Sequence, residues 1–206
     1  MTRTKICGIT RIEDGLAAAR AGASAIGLVF YGPSPRNVDL ARAAAIARAM
    51  PPFVTRVALF VDPEAATVAA VLEQVGPDLL QFHGHEPAEF CRAFRRPYLK
   101  AARVKPGVDL LQFASCYADA QGLLLDAWSE AAPGGTGERF DWALIPRDLP
   151  LPVVLAGGLH AGNVGEAIRA VGPWAVDVSS GVEAAKGIKD AAKIAAFMKE
   201  VSNADA

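Results

Sequence analysis

Lys5-Ile6-Cys7-Gly8-Ile9-Thr10, KICGIT, packs an apolar step, a thiol, a glycine and a helix-start signal into six residues. Read as strand, turn and helix, it opens a series in which short apolar runs alternate with amphipathic patterns to the end of the chain. Strands are predicted over 4–7, 25–30, 55–61, 78–82, 98–102, 122–126, 152–156 and 174–178. Most of these runs are almost wholly apolar, as parallel strands covered on both faces must be. The helices between them carry start signals. Thr10 and Glu13 have capping-box spacing ahead of Leu16 and Ala19. Asp62 followed by Pro63 has the form of an N-cap and first helical position before Val68, Val71, Leu72 and Val75. Ile194, Phe197, Met198 and Val201 repeat the i, i+3, i+4, i+7 stripe in the last helix.

Eight βα units in this length predict an α/β protein, a single (β/α)8 TIM barrel of eight parallel strands over residues 1–201. A doubly wound open sheet is the alternative. The unbroken regularity of the series favours closure. The last residues, 202–206, are expected to fray.

The totals narrow the function. With 206 residues and 52% hydrophobic content, the chain supports one well-filled core. A net charge of −1 and the lack of a basic run argue against nucleic acid or membrane as partners. Cys7, Cys91 and Cys116 match no metal or redox spacing, and an odd count points to a reducing, cytoplasmic setting. No stretch approaches a membrane span.

A barrel gathers its chemistry at the C-terminal strand ends and the loops that follow. Those positions hold Cys7, the YGPSPRN loop with Arg36, Asp62, His83, Lys100, Asp126, the AGGL turn and the DVSSGVE segment. Cys7 reads either as a small buried hydrophobe or as a thiol whose thiolate is favoured by a nearby helix N-terminus. Asp126, ending GLLLDA, is either a structural hydrogen-bonding carboxyl or a proton-holding general acid. Arg36 is either a surface side chain or a guanidinium fork for a carboxylate, on a loop stiffened by Pro33 and Pro35. Lys100 reads as a lysine packed at the rim. Backbone N–H groups of Gly157, Gly158, Ser180 and Gly181 predict an anion nest, with tight turns as the plainer alternative; Ser179 lies beside them. His83 and Asp177 are further candidate substrate contacts. The glycine-rich loop over 127–138 is either a connector or a lid. Because strand eight closes onto strand one, Cys7 and Asp126 flank these phosphate loops.

In register along the chain, KICGIT, SPRNV, QFHGHE, LLLDA, GGTGERFDW, LAGGLHAGNV and DVSSGVEAAKGIKD resemble the phosphoribosylanthranilate isomerase family of tryptophan biosynthesis. The resemblance runs from Lys5 to about Phe197. It implies a (β/α)8 barrel that carries out an Amadori rearrangement of a small phosphorylated substrate with no cofactor. The sequence itself offers no metal-ligand spacing, and a monomer or homodimer is expected. By resemblance Cys7 is the general base, Asp126 the general acid, Arg36 the carboxylate ligand and the two glycine loops the phosphate cradle. An indole-glycerol-phosphate synthase is disfavoured because no lysine–glutamate catalytic set occupies matching strand ends. A silent phosphate-binding protein would need neither Cys7 nor Asp126.

Overall fold

The computed structural model describes residues 1–127 and 141–205. Eight strands run in chain order around a closed parallel barrel: β1 (Arg3–Cys7), β2 (Ala25–Phe30), β3 (Thr55–Phe60), β4 (Leu79–Phe82), β5 (Tyr98–Val104), β6 (Gly122–Ala127), β7 (Val153–Leu155) and β8 (Ala175–Val178). The ring closes where β1 pairs β8 with Lys5 opposite Asp177 and Ile6 opposite Val178. Helices α1 (Ile12–Arg20), α2 (Leu40–Ala49), α3 (Ala65–Gln74), α4 (Ala88–Ala93) and α5 (Leu110–Cys116) follow the first five strands. Then α6 (Val164–Val171) follows β7, and α7 (Ala191–Ala204) ends the chain. Between β6 and β7 the described residues contain only a 3-10 turn, Trp142–Leu144. Between β8 and α7 lies a small antiparallel hairpin, β9 (Glu183–Ala185) and β10 (Ile188–Lys189), which the periodicity did not foretell.

Alternation along the strands sorts side chains into two layers. Ile6, Ile26, Leu28, Ala58, Phe60, Leu80, Phe82, Val176 and Val178 face outward and pack with helix residues such as Val68, Val71, Ile194 and Phe197. Leu99, Ala101, Leu124, Val154, Ala156 and Ala175 fill the barrel from the opposite faces. Lys5, Cys7, Gln81, His83, Asp126 and Asp177 share that inward parity. They are therefore stacked above an apolar plug.

Three local expectations are corrected. Thr10 and Glu13 form no capping box: the N-cap of α1 is Arg11, with no side-chain cap bond, and Thr10 Oγ1 donates to the Gly187 carbonyl instead. Asp62 does not cap α3, which starts after Glu64. Its backbone takes φ +46°, and its carboxylate accepts from the His85 N–H at 2.5 Å. Lastly, Ser202–Ala204 continue α7, where fraying is expected from sequence. Asp205 at its end accepts from Thr2 Oγ1 at 2.7 Å, joining the two ends of the chain across the barrel closure.

Candidate active site

Cys7 ends β1 with its side chain inward and 5% exposed. Two residues earlier, Lys5 faces the same way and is equally buried. Both lie over Gly27 of β2: a Cβ there would stand 2.7 Å from Cys7 Sγ and 3.1 Å from Lys5 Cε. Lys5 Nζ also donates to Asp177 Oδ1 of β8 at 2.9 Å. Burial pushes the Cys7 thiol up and Asp177 pushes the same way, while Lys5 and, more weakly, Lys189 pull it back. For Lys5, burial works against the charge, but Asp177 and the Cys7 sulfur outweigh it and leave the pKa raised. Sequence reading passed over Lys5; a lysine two residues before the thiol in an otherwise apolar strand was the signal.

Gly8 takes φ +74°, and a Cβ on it would meet Arg36 Cδ at 2.5 Å and Ser179 Oγ at 3.1 Å. The glycine after the thiol thus serves both the turn and the passage of Arg36 across the backbone. Arg36 reaches the rim and forks onto Glu183, Nε to Oε1 at 2.7 Å and Nη2 to Oε2 at 2.9 Å. Lys189 Nζ donates to the same Glu183 Oε1 at 2.9 Å and to the Ser179 carbonyl at 3.0 Å. Ser179 Oγ in turn donates to the Cys7 carbonyl at 3.1 Å. Burial alone would raise the Glu183 pKa, yet Arg36 and Lys189 bring it below the ordinary value. Lys189, without any exposed side-chain surface, is lowered chiefly by burial.

Across the lumen, Asp126 on β6 and His83 just past β4 are both buried. His83 Nε2 stands 3.2 Å from Asp126 Oδ2, within ion-pair distance though without hydrogen-bond alignment. Gln81, fully buried two residues before His83, brings its amide nitrogen 3.1 Å from Nδ1. An amide N–H donating to Nδ1 leaves Nε2 as the protonated nitrogen, on the carboxylate side.

Between thiol and carboxyl stand the two glycine loops. Gly157 and Gly158 both take positive φ, and among the described residues no acceptor takes their N–H groups. Asn163 braces this turn, accepting from the His160 N–H at 2.8 Å and donating to the Gly158 carbonyl at 2.9 Å. Gly181 sits in the 3-10 turn Ser180–Val182, where a Cβ would collide with the Leu159 carbonyl. The two loops are thus in backbone contact, and Gly157, Gly158, Ser179, Ser180 and Gly181 form one patch.

Lys100 belongs elsewhere. It shares the outward parity of Tyr98, is 1% exposed, and is paired to Glu86 at 2.7 Å and to the Gly84 carbonyl at 2.7 Å. Glu86 also accepts from the N–H groups of Asp62 and Gly84, so the pair ties the loops after β3 and β4 together behind His83. A rim lysine is expected from sequence; a buried tie is found, because the strand's alternation turns Lys100 toward the helices. Most of the 127–138 loop lies outside the described residues, as does its PGGTG segment.

Against known proteins, the family profile described as N-(5'phosphoribosyl)anthranilate (PRA) isomerase matches residues 4–200. The chain belongs to the phosphoribosylanthranilate isomerase family. It is 61% identical to the N-(5'-phosphoribosyl)anthranilate isomerase of Nitrosospira multiformis, covering 97% of this chain and 96% of that one. The Pseudomonas aeruginosa isomerase is also 61% identical, with 97% and 94% covered. Among solved structures, the family member from Thermotoga maritima superposes with a TM-score of 0.91 at 42% identity over 98% of this chain and 100% of its own. Another, in complex with reduced 1-(o-carboxyphenylamino)-1-deoxyribulose 5-phosphate, gives 0.88 at 41% identity, with the same coverage. No helix among the described residues is long and apolar enough to cross a membrane.

Proposed function

We propose that this chain converts N-(5-phosphoribosyl)anthranilate into 1-(2-carboxyphenylamino)-1-deoxyribulose 5-phosphate, an Amadori rearrangement of tryptophan biosynthesis, by general acid/base catalysis. The substrate's phosphate is held by the backbone N–H groups of the loops after β7 and β8, an anion nest built without charged side chains. Asp126 delivers a proton to the furanose ring oxygen. The C1′–O bond breaks, and the anilino nitrogen lone pair forms a protonated Schiff base. That cation acidifies the C2′ hydrogen, which the Cys7 thiolate removes. The resulting enolamine tautomerises to the ketose. Arg36 receives the anthranilate carboxylate; His83 and Asp177 keep the acid and the cation beside the base in place. Every proton thus has a donor or acceptor in the chain or solvent, so the scheme needs no cofactor.

One observation carries the reading. β1 neighbours β8 and β6 neighbours β7, so the thiol and the carboxyl bracket the two loops with free or glycine-lined backbone. A substrate anchored there by its phosphate lies with its sugar between acid and base. We place the reaction in the cytoplasm, carried out by a monomer or a homodimer. The Thermotoga maritima relative is dimeric and also occurs as generated monomers. The test is the loss of substrate fluorescence with purified protein: enzyme-dependent decay is expected, and a rate equal to the protein-free control would refute the assignment.

A further inference from the structure

We infer that Glu183, backed by Lys189 on the β9–β10 hairpin, is a positioning residue that sets the preference for a carboxylated substrate by aiming Arg36. The inference rests on the reading of Arg36 as the carboxylate ligand. Its starting point is an apparent contradiction: the guanidinium meant for the substrate already holds a carboxylate of the protein.

Donor arithmetic resolves it. A guanidinium has five N–H donors in a fixed plane. Glu183 takes one from Nε and one from Nη2. Both Nη1 hydrogens and the second on Nη2 remain, and no other acceptor for them is found among the described residues. With its inner edge clamped, a side chain only 12% exposed keeps its outer edge free for a second bidentate carboxylate. Clamping also removes rotamer freedom that a long side chain would otherwise lose on binding.

Charge makes the same point. Arg36 with Glu183 alone would be neutral and would draw no anion. Lys189, 2.9 Å from Glu183, restores an excess of one positive charge, two cations against one carboxylate. The cluster is held from several sides. Lys193 Nζ donates to the Glu183 carbonyl at 2.7 Å, and the Lys189 N–H donates to Asp14 at 3.0 Å. Gly187, at the hairpin turn with φ +79°, lets the Pro35 carbonyl come to 2.8 Å from where a Cβ would sit. The loop that carries Arg36 therefore rests on the hairpin that carries its clamp.

The test compares two substrates, the anthranilate adduct and the phosphoribosyl adduct of aniline, which lacks only the carboxylate. The variant is the double change Glu183→Gln/Lys189→Met, which keeps the excess charge of the trio at one and removes the ionic clamp together with the Lys189 bonds to Ser179. The ratio of KM for the anthranilate adduct to KM for the aniline adduct should rise about tenfold or more, while effects that pass through Ser179 and the Cys7 thiolate fall on both substrates alike. Equal shifts for both substrates, or no shift, would overturn the inference. Glu183→Asp keeps every charge, retracts the clamp by one methylene and carries the same expectation if the double variant does not fold. Arg36→Met runs in parallel. If it loses the selectivity while both Glu183 variants keep it, the positioning role fails and the carboxylate reading stands. If Arg36→Met itself keeps the selectivity, both fail.

Discussion

Cys7, the proposed base, sits in a poor medium for that role. Burial favours the neutral thiol, and the nearby Asp177 carboxylate favours it further. Lys5 opposes both from the same strand face, and its influence on the sulfur exceeds that of Asp177. Removing the two together, in Lys5→Met/Asp177→Asn, leaves no unpaired charge and should raise the thiol pKa. The sign follows: less thiolate at neutral pH, and an acid limb of kcat displaced upward. A tenfold loss of thiolate corresponds to about 1.4 kcal/mol. Iodoacetamide alkylation of Cys7 as a function of pH should move with the kinetic limb. A downward or absent displacement would show that Lys5 does not support the base.

The loops after β7 and β8 act as one unit because their backbones touch at Gly181 and Leu159. Gly181→Ala should force them apart, costing about 1–3 kcal/mol as overpacking against rigid backbone does. The thermal midpoint should fall, and affinity for a product analogue should fall with it. A loss of stability with unchanged phosphate affinity would separate these loops from the anion nest. Such contacts also mark the limit of sequence reading. The strands were legible to within a residue or two, because apolar runs and alternation are local. That Cys7, Asp126 and the glycine loops gather at one end of the barrel was legible because barrel topology says which end carries polar groups. Glu183, Lys189 and Gln81 were not, because their meaning lies in partners: Glu183 meets Arg36 across 147 positions of sequence. Thr10 and Asp62 were misassigned for the same reason, since long-range acceptors and donors outcompeted the local caps.

Ion pairs at both ends of the barrel give the fold its pH limits. Arg56 on β3 forks onto Asp78 ahead of β4, with contacts of 2.8 and 2.6 Å, and holds its carboxyl below the ordinary value. Glu183 at the opposite end is lowered as well, its cationic partners outweighing burial. Carboxyls lowered on folding contribute stability above the unfolded values of 3.8 and 4.5, and that contribution is lost as pH falls through the folded ones. The thermal midpoint should therefore drop from about pH 4.5 downward. At the alkaline side Cys91, the buried residue of α4, is raised from 9.0 to about 12. Its contribution is intact below pH 9 and lost on the way to 12, so a second decline belongs there. Calorimetry across pH 3–12 checks both; a flat acid limb would contradict the roles given to Asp78 and Glu183.

All of this bears on the proposed arrangement, a thiol and a carboxyl on either side of an anion nest. The direct test is kcat in Cys7→Ser and Asp126→Asn, measured beside the affinity for the reduced product analogue. Each variant should lose at least about 10²-fold in kcat, the usual size of a general acid or base contribution, while still binding the analogue. Turnover at the unaltered rate in either one would contradict the account.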